Sequence, residues 1–147
     1  MRTMKKIQIC FILLFLFSCN QNRIETGESL SGSDIEYIQG LRLLGKDEKI
    51  YKFYSEYKKK NAGNFFTDKR IATYWIDERD KEKNETSFAF YTDIKSIDTV
   101  YEVGATYSPY MLVTKLDGKQ FKVSVNDKKE EIKTFFEEAL NQWQQHK

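Results

Sequence analysis

Asn64 to Asp77, NFFTDKRIATYWID, constrains the chain more than any other stretch. Two apolar runs, Phe65-Phe66 and Ile71 through Ile76, flank the polar cluster Thr67-Asp68-Lys69-Arg70. Both runs are rich in aromatic and β-branched residues, which fit the pleated surface of a strand. Thr and Asp side chains bond neighbouring backbone, so the cluster predicts a bend or bulge inside an otherwise extended segment. Alternation puts Ile71, Thr73 and Trp75 on one face and Arg70, Ala72, Tyr74 and Ile76 on the other. Apolar groups on both faces predict a central strand.

The flanking pattern predicts a small sheet around that strand. Lys49 to Tyr57 alternates and reads as a first strand, and Thr86 to Thr92 and Ile94 to Val103 as later ones. Asp117-Gly118, between Tyr110–Leu116 and Lys119–Val125, predicts a two-residue hairpin turn. Ser33-Asp34-Ile35-Glu36 has capping-box spacing and precedes Ile38, Leu41 and Leu44, so a short helix is expected there. Asp77 to Glu85 alternates in sign with nothing apolar and reads as a mobile connection rather than a metal loop. A second capping box, Asp127 with Glu130, opens a longer helix whose Ile132, Phe135, Phe136, Ala139, Leu140 and Trp143 form one stripe. Burying a large apolar side chain contributes about 1.5–3 kcal/mol, so this helix is expected to cover an open end or face of the sheet.

An aromatic pair, then Thr67-Asp68-Lys69-Arg70, then a hydrophobic strand, resembles the second-strand signature of bacterial PH-like (pleckstrin-homology and GRAM-type) domains. The resemblance runs from Leu44 to Trp143. It implies an α+β, mainly β fold: a PH-like antiparallel sheet or partly open barrel of about six to seven strands, capped by one C-terminal amphipathic helix. The alternative is a curved sheet packed on helices, as in cystatin-like or nuclear-transport-factor-like proteins, where the helix usually comes early.

The amino end sets an expected compartment. Arg2, Lys5 and Lys6 precede an apolar run of eleven residues, Ile7 to Phe17. At about 1.5 Å per residue that run is too short for a hydrocarbon core of about 30 Å, and it reads as the apolar region of a signal peptide. Leu16-Phe17-Ser18-Cys19 resembles the lipobox of bacterial lipoproteins, with Phe17 departing from the usual small or β-branched residue. The resemblance implies that residues 1–18 are removed and that Cys19 is acylated, palmitate being one such chain; two or more chains anchor a protein stably. Asn20 stands where an Asp would resemble an inner-membrane retention signal, which implies the outer membrane, and no early acidic run of the kind that sends some lipoproteins to the cell surface follows, which implies its periplasmic face. Residues 19–32 have few apolar side chains and no period, and are expected to be a flexible tether to a single domain over 33–147.

These features narrow the function. The chain has 24 Lys and Arg against 22 Asp and Glu, and three of the cations lie in the leader, so the mature chain is nearly neutral. Nothing in that balance favours nucleic acid. Cys10 leaves with the leader and Cys19 carries lipid, leaving no thiolate nucleophile, disulfide or Cys-ligated metal. His146 is the only histidine, so no histidine triad or metal cluster can be assembled. No catalytic residue, cofactor or metal is therefore expected, although a hydrolase built on carboxylates alone stays open.

Two clusters are candidate contacts. Lys58, Lys59 and Lys60 lie in the expected loop between the first two strands, where eukaryotic PH domains hold phosphoinositide headgroups. That family's Lys/Arg-x-Arg element is missing, because Lys69 and Arg70 are adjacent. Tyr101, Tyr107 and Tyr110 surround the 104–109 loop and would suit a protein contact. The expected role is a membrane-anchored, non-enzymatic module for a protein segment or a lipid headgroup, whose partners are the membrane, through Cys19, and an envelope protein. The alternative is a periplasmic immunity or inhibitor lipoprotein that neutralises a toxin or hydrolase.

Overall fold

A computed structural model describes residues 23–147; the expected leader and Cys19 lie outside them. The NFFTDKRIATYWID stretch forms two strands, β3 (Ala62–Thr67) and β4 (Arg70–Trp75), joined by a tight reversal. The expected bend inside one strand is thus corrected to a hairpin. Its cause is local: the Thr67 hydroxyl oxygen accepts the N–H groups of Lys69 and Arg70, each at 2.9 Å, and the strands pair directly from Phe66 opposite Ile71.

Around this hairpin lies a five-stranded antiparallel sheet in the order β1-β2-β3-β4-β5, where β1 is Glu25–Thr26, β2 Ile50–Tyr54 and β5 Glu85–Phe90. A second sheet holds β6 (Ile94–Val100), β7 (Tyr110–Lys115) and β8 (Gln120–Ser124) in sequence order. The fold is mainly β, and among the described residues eight strands form two antiparallel sheets that do not close into a barrel. The β7–β8 turn has three residues, not the expected two: Gly118 at φ +85° donates its N–H to the Lys115 carbonyl, and Lys115 pairs with Lys119. That is the three-residue hairpin that needs glycine at a left-handed position.

Two apolar clusters make a three-layer molecule. Between the sheets, Phe66, Ile71, Met111, Val113 and Val123 pack with Ile132, Phe135, Phe136 and Ala139 of the C-terminal helix α2 (Lys129–His146). Of the stripe predicted for that helix, Ile132, Phe135, Phe136 and Ala139 are buried, and Leu140 and Trp143 are half-buried. On the other face of the larger sheet, Phe53, Phe65, Ala72 and Tyr74 pack with Leu30, Ile38, Leu43 and Leu44 in and beside the short helix α1 (Gly32–Gly40). Every residue of β3 is consequently buried. No described helix is long and apolar enough to cross a membrane.

A buried ionic network locks the hairpin to the loop before β2. Arg70 donates from Nε to Glu48 Oε1 and from Nη2 to Glu48 Oε2, both at 2.8 Å, while its guanidinium lies 4.8 and 4.5 Å from the ring centres of Phe88 and Phe90. The Thr67 hydroxyl donates to Glu48 Oε1 at 2.6 Å, and the Thr67 carbonyl accepts from the Tyr91 hydroxyl. The Thr-Asp-Lys-Arg signature therefore holds the fold together.

Three expectations at the element ends are corrected. Residues 24–32, read as tether, are part of the domain: Glu25 pairs with Phe53, Leu30 is buried, and the Ile24 N–H donates to Asp127 Oδ2 at 2.8 Å. The first capping box is Ser31 with Asp34, not Ser33 with Glu36, because the helix begins at Gly32. At α2 the N-cap is Lys128 without a side-chain cap, since the Asp127 carboxylate is drawn to Ile24 and to the Lys128 N–H.

Candidate binding trough between the sheets

The pairing register sets rows of side chains on the face of the larger sheet that looks toward the smaller one. Phe66, Ile71 and Ala89 form a buried row. Asn64, Thr73 and Ser87 form the next; Asn64 is buried and the other two are half-buried. Trp75 and Glu85 lie in the third row, and both are exposed. Along β4 and β5 exposure thus grows from row to row, because the smaller sheet ends at β8, while Ala62, opposite Trp75 on β3, stays buried.

β8 is fixed over the second row by one side chain. Asn64 Oδ1 accepts the Ser124 N–H at 3.1 Å and the Thr73 hydroxyl at 2.9 Å. Beside it run two connected hollows of about 530 and 450 Å³ that share Glu56, Lys122 and Ser124. The first is walled by Val100, Tyr107 and Tyr110, the second by Thr73, Trp75 and Glu85. A third hollow of about 260 Å³ continues past Trp75 to Tyr57 and Lys58. Volumes of this size suit a small ligand or a few residues of peptide. Of the large apolar side chains left exposed, Tyr57, Trp75 and Tyr107 all border this trough, and Tyr107 is 75% exposed.

The trough is acidic. Among the described residues, Glu56, Glu85 and Glu102 have no ion pair or side-chain hydrogen bond, and Lys122 is the only cation lining the two larger hollows. Lys122 Nζ lies 4.4 Å from the Tyr110 ring centre, where the ring quadrupole attracts it. Desolvation raises the Glu56 carboxyl above its ordinary value. A carboxylate held without a partner in that setting favours a cationic neighbour.

The two predicted clusters divide. Tyr107 and Tyr110 wall the trough, but Tyr101 packs 5.3 Å from the Phe136 ring and borders a separate hollow with Pro109 and Ile132. The lysines do not converge on one point. Lys59 Nζ pairs with Glu25 at 2.6 Å and Asp34 at 3.6 Å, and its carbonyl accepts from the Tyr74 hydroxyl. The Lys60 carbonyl accepts from Tyr37, and Lys58 Nζ lies 5.5 Å from the Tyr57 ring centre. In the 77–85 connection, backbone N–H groups of Arg79 and Asp80 donate to Asp77 and hold its carboxyl below its ordinary value. Sequence reasoning missed Glu56, Trp75, Glu85 and Lys122 as one site. The available signal was Trp75, a large aromatic ending a strand just before a charged loop.

No family model matches the chain, and no curated protein matches it. Among solved structures it is similar to a DUF1696 family protein with a pleckstrin-homology domain from Shewanella loihica PV-4, at 14% identity and a TM-score of 0.51. The match covers 74% of this chain and 90% of that one. At this identity the likeness speaks for the fold alone, and it agrees with the PH-like, mainly β architecture described above.

Proposed function

We propose that this protein is a non-enzymatic binding module of the cell envelope, anchored through acylated Cys19 at the periplasmic face of the outer membrane, that recognises a segment of another protein in the trough. The observation that carries this reading is the row of exposed aromatics, Tyr57, Trp75 and Tyr107, along a hollow with unpaired carboxylates. Aromatic side chains are enriched in protein contacts because they offer large, stiff, amphipathic surface. A headgroup site at Lys58 to Lys60 is less favoured, since Lys59 is engaged by Glu25 and Asp34.

The test is capture of the acylated protein from its own envelope, comparing the native chain with Trp75→Ala and with the pair Lys58→Ala and Lys60→Ala. A stoichiometric protein partner lost with Trp75→Ala and kept by the lysine variant is expected. A partner indifferent to Trp75, or lost only with the lysines, refutes the trough as the recognition surface. A captured toxin or hydrolase would make the same trough the working face of an inhibitor. The anchor is checked separately by mass spectrometry, where an unmodified sulfur at residue 19 refutes it.

A further inference from the structure

The backbone of β8 has a free edge that looks into the trough. Antiparallel neighbours alternate in the side to which they turn their N–H and C=O groups. The Val125 N–H donates to the Pro109 carbonyl at 3.1 Å and the Lys119 carbonyl accepts from Lys115 at 2.8 Å, so the odd-numbered residues here face β7. Ser124 turns the other way, to Asn64. Lys122 and Gln120 share the orientation of Ser124, and among the described residues nothing outside their own strand pair bonds their N–H or C=O groups.

The space beside that edge is a hollow of about 450 Å³ lined by Gln120 and Lys122 on one side and by Trp75 and Glu85 on the other. Neighbouring strands lie about 4.8 Å apart, and side chains on one face of a strand recur about every 7 Å. With β8 fixed over the Asn64–Thr73–Ser87 row, the next strand position falls toward Trp75 and Glu85. We infer that β8 is a strand-addition site, at which an extended basic segment of a partner protein pairs with the free edge at Gln120 and Lys122, lies across Trp75, and sets a lysine or arginine against Glu56. This rests on the trough being the recognition surface and specifies what it recognises.

Charge selects the occupant. Three unpaired carboxylates, Glu56, Glu85 and Glu102, face the hollow against one lysine whose charge already sits on Tyr110. A second copy of this chain is disfavoured, because antiparallel self-pairing centred on Lys122 sets like charges directly opposite. Lysine on an edge strand is a recurrent guard against such pairing.

The probe is a displayed library of random dodecapeptides selected on the full chain in detergent micelles. Enriched peptides are expected to carry lysine or arginine in alternating, extended sequences. Lys122→Pro is expected to bind them at least tenfold more weakly than Lys122→Ala, because proline removes an N–H that the β7 ladder does not use and edge strands tolerate it. As a readout independent of that variant's folding, bound peptide should slow hydrogen exchange at the Gln120 and Lys122 amides of the native chain. Glu56→Gln should weaken binding several-fold. Equal affinity for the proline and alanine variants with unchanged exchange at both amides, enrichment of acidic peptides, or no enrichment overturns strand addition. If Trp75→Ala abolishes binding while those two measurements fail, the trough reading stands and only strand addition falls; binding unaffected by Trp75→Ala removes the trough reading itself.

Discussion

Replacing Arg70 by alanine should be among the most damaging single changes to the β scaffold. The side chains of Arg70 and Glu48 are 9% and 1% exposed, and two 2.8 Å hydrogen bonds join them in a forked pair. Their Coulomb attraction offsets the cost of removing both charges from water, so deleting one partner strands the other. Breaking a buried pair in this way costs about 3–5 kcal/mol. The lost packing of the guanidinium on Phe88 and Phe90 acts in the same direction. For a domain of this size, about 1 kcal/mol corresponds to about 4 °C in Tm, so a fall of about 12–20 °C is expected. Glu48→Met combined with Arg70→Met should recover most of the loss, because neither variant side chain leaves a buried charge. Recovery should be incomplete, since the Gly45 N–H and the Thr67 hydroxyl lose their acceptor on Glu48. Urea and thermal melts of the native chain, Glu48→Met, Arg70→Met and the double variant give the coupling energy directly, with Arg70→Ala measured beside them. An Arg70→Ala loss below about 1 kcal/mol, the magnitude of an exposed ion pair, would refute the buried-network account.

Two further outcomes follow from the same packing. Burial is the first cause that raises the phenols of Tyr74 and Tyr91 well above their ordinary value of 10.0. A group whose folded value is raised contributes stability that is complete below its unfolded value and is lost as pH climbs toward the folded one. Melts should therefore weaken progressively above about pH 10, and Tyr91→Phe should flatten that decline while losing its bond to the Thr67 carbonyl, a net cost of about 0.5–1.5 kcal/mol near neutrality; equal alkaline slopes for both proteins would contradict this. Asp127→Ala removes the acceptor of the Ile24 and Lys128 N–H groups. Faster amide exchange over residues 24–26 and a loss of about 1–2 kcal/mol are expected, with unchanged exchange in that segment as the contrary result.

The amino-acid sequence alone determines the part of the fold governed by near neighbours. The stripe Ile132, Phe135, Phe136 and Ala139 repeats with the pitch of a helix, so its buried face follows from spacing alone, and it is the face found buried. The β7–β8 hairpin was likewise visible at Gly118, although its length was not, because Asp117 fits both two-residue and three-residue loops. The Thr67-Asp68-Lys69-Arg70 cluster marked a change of direction. Whether it bends one strand or reverses the chain depends on Phe66 finding Ile71 across the turn, and a polar cluster by itself does not specify that partner.

Tertiary structure decided everything that joins distant residues. Asp127 is a sound helix cap by local rules, yet its carboxylate serves Ile24, 103 residues away, because β1 brings that N–H to it. Lys59 looked free among its fellow lysines until α1 and β1 placed Asp34 and Glu25 beside it. The trough draws on residues between 56 and 124, and it exists because the smaller sheet ends at β8 and leaves Trp75 and Glu85 of the larger one exposed. Sequence periodicity reports which side of an element is apolar, since that depends on residues within a few positions of each other. Which surfaces meet, and where one layer stops short of the next, is set by strand register and layer packing across the whole chain.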